Sequence, residues 1–459
     1  MAKVCFIIYD NDSYIHWFPT GIAYLASYLL QYKNEVVIYD MAVNHYTNKQ
    51  LKDYIEHNDF DIVGLGMCGG YYQYNKLIEL SKVINKCKNR DSFYYVLGGH
   101  LVNPDFNYFY QLTKCDYLIA GEGEKGLLEL CNYIGGDCVE NIFNSYYLRT
   151  VINLDKIDNL DDIPFPAYHL FNMNVYRLQR FARCENTNFV IPMITARGCP
   201  YNCNFCYRMI DGYRMRSPKN IIEEIKLLQK DYGINYIYFD DELLMSSKHR
   251  AIELSNAFIN AKLKFKWACN GRLNFATNDV LKVMKSAGCV FINYGIESLD
   301  DTVLKNMNKR LTSKQIIKGI ETTQNNDIAT GLNIIWGNIG DTTITLSKSV
   351  DFLLKYDRCD QLRTIRPVTP YPNSDLFKHC VKQGMIKDVK DFYENKHKNS
   401  DLLTVNLTSV PDDVYYECLK RANEKLLTNY YKSKLTSSIL QTQHLYNIQD
   451  TNFRGYRQT

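Results

Sequence analysis

Two stretches of the chain alternate short apolar runs with amphipathic segments, and a connecting piece separates them. In the first, Lys3 to Tyr9, Glu35 to Tyr39, Asp61 to Gly66, Phe93 to Gly98 and Asp116 to Ala120 are apolar runs rich in β-branched and aromatic residues. Segments such as Gly21 to Leu30 and Tyr74 to Cys87 carry apolar residues at helical spacing between them. Five strands with helical crossovers predict an open parallel α/β sheet covered on both faces. In such sheets ligands bind beyond the carboxyl ends of the strands. Glycines stand at three of those ends: Gly64, Gly66, Gly69 and Gly70, then Gly98 and Gly99, then Gly121 and Gly123. This clustering predicts a ligand crevice, since glycine lets backbone approach a ligand closely.

Residues 136–187 read as a linker, with Pro164 and Pro166 in an acidic stretch suited to an extended strap. The alternation resumes at residue 188. Phe189 to Thr195, Tyr236 to Asp240, Phe265 to Asn270, Phe291 to Ile296, Gly331 to Trp336 and Leu362 to Val368 are candidate strands with helical patterns between them. In Ser217 to Tyr232, Ile221, Ile222, Ile225 and Leu228 form one stripe, and Ser217-Pro218 supplies a cap and first position. Six βα units predict a partial (β/α)6 barrel with its chemistry at the strand carboxyl ends. The division is therefore 1–135, 136–187, 188–384 and a small, mostly helical C-terminal region, 385–459.

Composition changes this picture little. The 459 residues, 46% hydrophobic and 23% charged, suit a soluble globular chain of more than one domain. A formal charge of +4 is too small to imply nucleic acid. Lys420, Arg421, Lys425, Lys432, Lys434, Arg454 and Arg457 face only Glu424 and Asp450, so positive charge gathers in the tail. No segment approaches the ~20 apolar residues of a membrane span, and the first residues are too short and acidic for a signal peptide. Of fifteen cysteines, most sit in apolar runs such as Val4-Cys5-Phe6, as small buried hydrophobes of a reducing cytoplasm do.

Three cysteines differ. Arg197-Gly-Cys199-Pro-Tyr-Asn-Cys203-Asn-Phe-Cys206 stands at the end of the first barrel strand. Three thiolates on one short loop can ligate three irons of a [4Fe–4S] cube and leave the fourth open. A structural zinc would want a fourth Cys or His, and the nearest histidines in sequence, His169 and His249, are distant. This C-x3-C-x2-C spacing, with Phe205 before the last cysteine, resembles the radical S-adenosylmethionine (SAM) signature. The resemblance continues through Tyr236-Ile-Tyr-Phe-Asp240-Asp-Glu242, Met284-Lys-Ser-Ala-Gly288-Cys, Tyr294-Gly-Ile-Glu297-Ser298, Gly337-Asn-Ile-Gly340-Asp-Thr342 and Thr369-Pro-Tyr-Pro372. Residues 1–170 resemble the Rossmann-like cobalamin-binding domain that precedes the barrel in one subgroup.

The resemblance implies that the open iron chelates SAM and that an electron from the reduced cluster cleaves its sulfonium to a 5′-deoxyadenosyl radical. It implies Glu242 at the SAM amino group, Arg272 at the carboxylate, Glu297 and Ser298 at the ribose, and Phe205 and the Gly337 turn beside adenine. Glu242 stands where the family's Gly-Gly-Glu motif stands, without its glycines. Arg272 and Glu297 have an internal ion pair as their alternative. Cobalamin would lie over Leu65, Gly66, Gly98 and Gly99. The Asp-x-His-x-x-Gly motif that ligates cobalt is missing, and His16 has the wrong spacing, so no protein ligand to cobalt is expected. The implied reaction is methylation of an unactivated carbon or a phosphinate phosphorus in a small-molecule or peptide substrate, with flavodoxin or ferredoxin as electron donor. Radical cyclisation, oxidation or rearrangement is the runner-up, and a non-catalytic corrinoid or SAM sensor is the alternative from another class.

Overall fold

Six parallel strands make the first sheet of the computed structural model, which describes residues 1–12, 17–136, 151–152, 155–209 and 212–448. They are β1 (Lys3–Ile8), β2 (Glu35–Asp40), β3 (Ile62–Gly66), β4 (Tyr94–Gly98), β5 (Tyr117–Ile119) and β6 (Val151–Ile152). Their order is β2-β1-β3-β4-β5-β6. Val-Cys-Phe-Ile-Ile of β1 is buried throughout, as a strand covered on both faces must be. The strand order reverses between β1 and β3, which opens a crevice at their carboxyl ends. The sequence pattern predicts five strands and the structure has six. β6 is two residues paired through Leu118↔Val151 and Ile119↔Ile152, too short to carry a periodicity of its own.

The second sheet contains β7 (Val190–Met193), β10 (Tyr236–Phe239), β11 (Lys266–Gly271), β12 (Cys289–Glu297), β13 (Ala329–Trp336) and β14 (Arg366–Pro367). All its neighbours pair in parallel, in the order β14-β13-β12-β11-β10-β7. Between β7 and β10 lies a separate antiparallel hairpin, β8 (Ala196–Gly198) and β9 (Tyr213–Met215). The helix Pro218–Tyr232 starts as Ser217-Pro218 predicts: Ser217 accepts from the Asn220 amide, and Gly233 closes the helix at φ 68°.

The strap is packed, and it joins the two sheets. Phe18, from before the first helix, stacks on Tyr168 at 5.3 Å and meets the edges of Phe171 and Tyr176, all in one core with the barrel helices. Tyr168 donates to Glu224 at 2.6 Å and Tyr176 to Asp40 at 2.7 Å, so the strap reaches both halves.

The C-terminal region returns to the first sheet. Phe377, Cys380, Ile386, Phe392 and Tyr393 share a core with Leu77 and Phe109, and Tyr393 stacks on Tyr74 at 4.8 Å. His397 is fully buried there against Phe392, and burial pushes its pKa down to about 4. The unfolded chain takes up a proton near pH 6.5, where the folded one does not. The contribution of His397 to stability is therefore complete above about pH 6.5 and falls as pH drops toward 4, by about 3 kcal/mol in all. Urea unfolding of the native chain and of His397→Gln between pH 7.5 and 4.5 should differ by this slope, since the raised Asp240 carboxyl tilts both curves alike in the opposite sense.

Candidate functional site

The β8–β9 hairpin carries the three cysteines on its connecting loop, and the sequence builds it by several devices. Asp241, at the end of β10, accepts from the Thr195 amide (2.5 Å), the Thr195 hydroxyl (2.5 Å) and the Ala196 amide (2.9 Å). This turns the chain out of β7 at Met193, two residues earlier than its apolar run predicts. Gly198 then adopts φ +85°, and a Cβ there would land on the Gly212 carbonyl oxygen. Gly198→Ala should therefore cost about 1–3 kcal/mol of local strain and lower the iron that the chain takes up, read by iron analysis after anaerobic reconstitution.

The hairpin is ion-paired to the first domain. Arg197 meets Glu124 at 2.6 Å and Glu122 at 3.3 Å, and Arg214 pairs with Glu122. Both carboxylates follow the carboxyl end of β5, so the cysteine loop is tied to the crevice side of the first sheet.

Within the loop Cys203 is buried, Cys199 half-buried and Cys206 exposed. The Cys203 thiol is pushed down to about 6, first by the hydrogen bond from Cys206 and, against burial, by Lys309 and Arg272. A thiolate is the form that binds iron. The loop is knitted to the turn after the helix Asp301–Asn306: the Asn204 amide donates to the Met307 carbonyl (3.0 Å) and Asn308 to the Asn202 carbonyl (2.7 Å). Asn204 and Asn338 exchange side-chain hydrogen bonds at 3.1 and 3.4 Å.

Arg272 is buried, with its guanidinium 3.7 Å from the Tyr201 ring and donating to the Lys309 and Arg310 carbonyls. Its Nε is buried without a partner. Glu297 ends β12 at φ +67°, beside a register shift, and its Oε1 meets Lys309 Nζ at 2.9 Å, both groups buried. The internal ion-pair alternative thus describes Glu297, with Lys309 as partner, whereas Arg272 lies over Tyr201 of the cysteine loop and donates to two carbonyls of the turn that follows Asn306. Gly295 leaves room for the pair, since a Cβ there would strike Glu297 Oε1. Ser298 Oγ accepts from the Asp300 amide at 3.2 Å. Phe205 lies 6.0 Å from Lys309 Nζ. Glu242, after β10, is exposed and makes no ion pair among the described residues. Gly337, at φ +99°, packs against Tyr415, which stacks on Trp336 at 4.1 Å.

The crevice of the first sheet faces this loop. His100 rests on Tyr207 at 5.5 Å, and Asn103 donates to the Met209 carbonyl at 3.3 Å. Trp17 Nε1 donates to Asp240 at 3.2 Å, and burial pushes the Asp240 carboxyl up to about 7. Among the crevice residues, Leu65 is inside the core and Gly66 makes room for Ile22. Gly99, at φ +98°, lies against the Met67 backbone, where a Cβ has no space. Gly98 alone of the four meets only ordinary contacts, to Ile119. Gly69 has nothing nearer than Tyr393 Oη at 4.0 Å, so it has open space where a side chain would stand. His16 lies outside the described residues.

Three thiols on a braced loop, one held toward thiolate, fit a cluster. Among the described residues no three His, Cys, Asp or Glu side chains gather tightly enough to share one ion. A cube asks for less, since each cysteine binds its own iron. Sequence reasoning missed Lys309, Asn204, Asn338 and the Glu122–Glu124 clamp. Lys309 follows the Asp301–Asn306 helix outside every motif, and the clamp residues sit beyond a strand whose glycines alone attract notice.

Comparison with known proteins agrees with this geometry. A family model described as the radical SAM superfamily matches residues 193–353, and a B12 binding domain model matches residues 11–131. The chain is 29% identical over 383 residues to an uncharacterized methyltransferase, PH0819, of Pyrococcus horikoshii, covering 80% of this chain and 79% of that one. It is 26% identical to the anaerobic magnesium-protoporphyrin IX monomethyl ester cyclase of Rubrivivax gelatinosus, covering 82% and 69%. The fold matches TsrM from Kitasatospora setae, a radical SAM methyltransferase solved with cobalamin and a [4Fe–4S] cluster, at a TM-score of 0.65 and 16% identity over 83% and 78% of the two chains. Among the described residues no helix is long and apolar enough to cross a membrane. The chain belongs to the radical SAM superfamily, in the group that carries a B12-binding domain before its radical SAM domain.

Proposed function

We propose that this protein is a cobalamin-dependent radical SAM methyltransferase acting on an unactivated carbon or a phosphinate phosphorus of a small-molecule or peptide substrate. The observation that carries the reading is that the cysteine loop faces the carboxyl ends of the first sheet, with Tyr207 against His100 and Trp17 on Asp240. When bound, the cluster supplies the electron that cleaves SAM, and cobalamin supplies the methyl group. Cys199, Cys203 and Cys206 hold the cluster, with a flavodoxin or ferredoxin as its reductant. Glu242 receives the SAM amino group. Arg272, whose Nη2 is engaged by the Lys309 and Arg310 carbonyls, offers its unpartnered Nε to the carboxylate. Ser298 and the second Glu297 oxygen face the ribose, and Phe205 and Gly337 flank adenine. The strand ends at Gly69 and Gly98 take the corrin tail, with Leu65, Gly66 and Gly99 shaping the backbone beneath it.

Glu242→Gln should leave the iron content unchanged and weaken SAM binding by tens of fold, because one charged hydrogen bond contributes about 2 kcal/mol. Equal SAM affinity in calorimetric titration would remove Glu242 from the pocket. Radical cyclisation is the second reading, favoured by the similarity to the cyclase. Anaerobic turnover of cell extract with methyl-labelled SAM separates them: a product carrying the labelled methyl supports methylation, and a product lighter by hydrogen supports cyclisation.

A further inference from the structure

The inward face of the barrel is polar at half height. Below lies an aromatic floor, where Phe181 stacks on Tyr238 at 4.2 Å and meets the edge of Phe291 at 5.8 Å. Above it, Asn270, Asn293 and Asn333 stand on three adjacent strands, with Asn270 paired to Asn293 in register. Asn293 Nδ2 donates to Asn270 Oδ1 at 3.0 Å and Asn333 Nδ2 to Asn293 Oδ1 at 2.9 Å, while the Tyr238 hydroxyl donates to Asn270 at 3.1 Å. A barrel interior is ordinarily filled by branched apolar side chains. Three amides in a row there mark a chamber that is built to meet polar groups.

Arg363 ends this row. Its guanidinium donates to Asn293 Oδ1 at 3.2 Å and to the side-chain oxygens of Asn333 and Gln361. All three acceptors are neutral, and two of the five N–H donors of a guanidinium remain unused. Arg363 forms no ion pair among the described residues; Asp357 attracts it only at longer range. Burial lowers its pKa, and the attraction of Asp357 offsets this only in part. Gly331 keeps the space open, since a Cβ there would strike the guanidinium and Asn293.

We propose that the barrel holds an oxyanion subsite in which Arg363, oriented by Asn293 and Asn333, receives a carboxylate or phosphate of the substrate above the Phe181–Tyr238 floor. This rests on the barrel being the reaction chamber of the radical SAM reading. It narrows the substrate to a molecule with an anionic group and a planar or apolar body. The planar fork of Arg is suited to both oxyanions, so the two are separated by experiment.

The test is calorimetric titration of the reconstituted full chain, anaerobic and saturated with SAM, with two matched pairs of probes. Indole-3-acetate is compared with indole-3-acetamide, and phenyl phosphate with phenol. At least one anion should bind about tenfold or more tightly than its neutral partner, and the pair that shows the preference identifies carboxylate or phosphate. Arg363→Gln should reduce that preference below about twofold, and Arg363→Lys should keep part of it as a point charge. Thermal melting of both variants checks the fold; if Arg363→Gln does not fold, loss of part of the preference in Arg363→Lys decides. Equal binding of charged and neutral probes, absence of binding by every probe, or a preference unchanged by the substitutions would overturn the subsite. 5′-Deoxyadenosine formed in the same samples reports the underlying reading separately.

Discussion

Cys203→Ala is expected to fold, to lose the cluster and to form no 5′-deoxyadenosine. Cys203 is the buried member of the three, and it stands at the centre of the loop's bracing. The Cys206 thiol donates to it, Lys309 and Arg272 lower its pKa, and Asn204 beside it is bonded to Met307 and Asn338. A three-cysteine loop has no spare ligand, so one loss leaves the cube with two thiolates. Iron analysis after anaerobic reconstitution should fall from about four per chain to near none. The smaller alanine removes a thiol without displacing backbone, so circular dichroism should be unchanged. A variant that kept four irons and cleaved SAM would place the cluster elsewhere.

Lys309→Met should destabilise the barrel by about 3–5 kcal/mol, because it leaves the Glu297 carboxylate buried without its cation. The pair is 2.9 Å apart and both residues are almost fully buried. Lys309 is held protonated: burial pulls its pKa down, and Glu297 and Cys203 raise it further than burial lowers it. The double variant Lys309→Met with Glu297→Gln should recover much of the loss, since a neutral amide costs less to bury than a lone charge. Denaturant midpoints of the single and double variants give the coupling directly. Equal midpoints for Lys309→Met and the native chain would mean that the pair contributes nothing.

Much of the architecture was legible because both sheets are made of fully buried strands. Continuous runs such as Val4–Ile8 and Tyr236–Phe239 need no partner to be recognised, and Ser217-Pro218 marks a helix start on its own. What escaped was determined by contacts between distant residues. Val151–Ile152 is a strand only because Leu118 and Ile119 lie beside it. The strap reads as extended from its prolines, yet Tyr168, Phe171 and Tyr176 bind it into the core that unites the halves. The cysteine spacing is local chemistry and was read directly. The roles of Arg272 and Gly99 depend on what lies opposite them, a tyrosine ring and the Met67 backbone, which no spacing encodes.

The central claim is that one cleft between the two sheets serves a cluster, SAM and cobalamin together. One anaerobic sample tests it: reconstituted protein titrated with hydroxocobalamin by absorption, then reduced with SAM and assayed for 5′-deoxyadenosine by mass spectrometry. The native chain should bind about one equivalent of cobalamin and form 5′-deoxyadenosine. Cobalamin binding should be lost in Gly98→Trp, where the backbone accepts a Cβ at ordinary contact and the ring would stand at the end of β4. Full cluster loading with neither cobalamin binding nor 5′-deoxyadenosine would contradict a shared cleft.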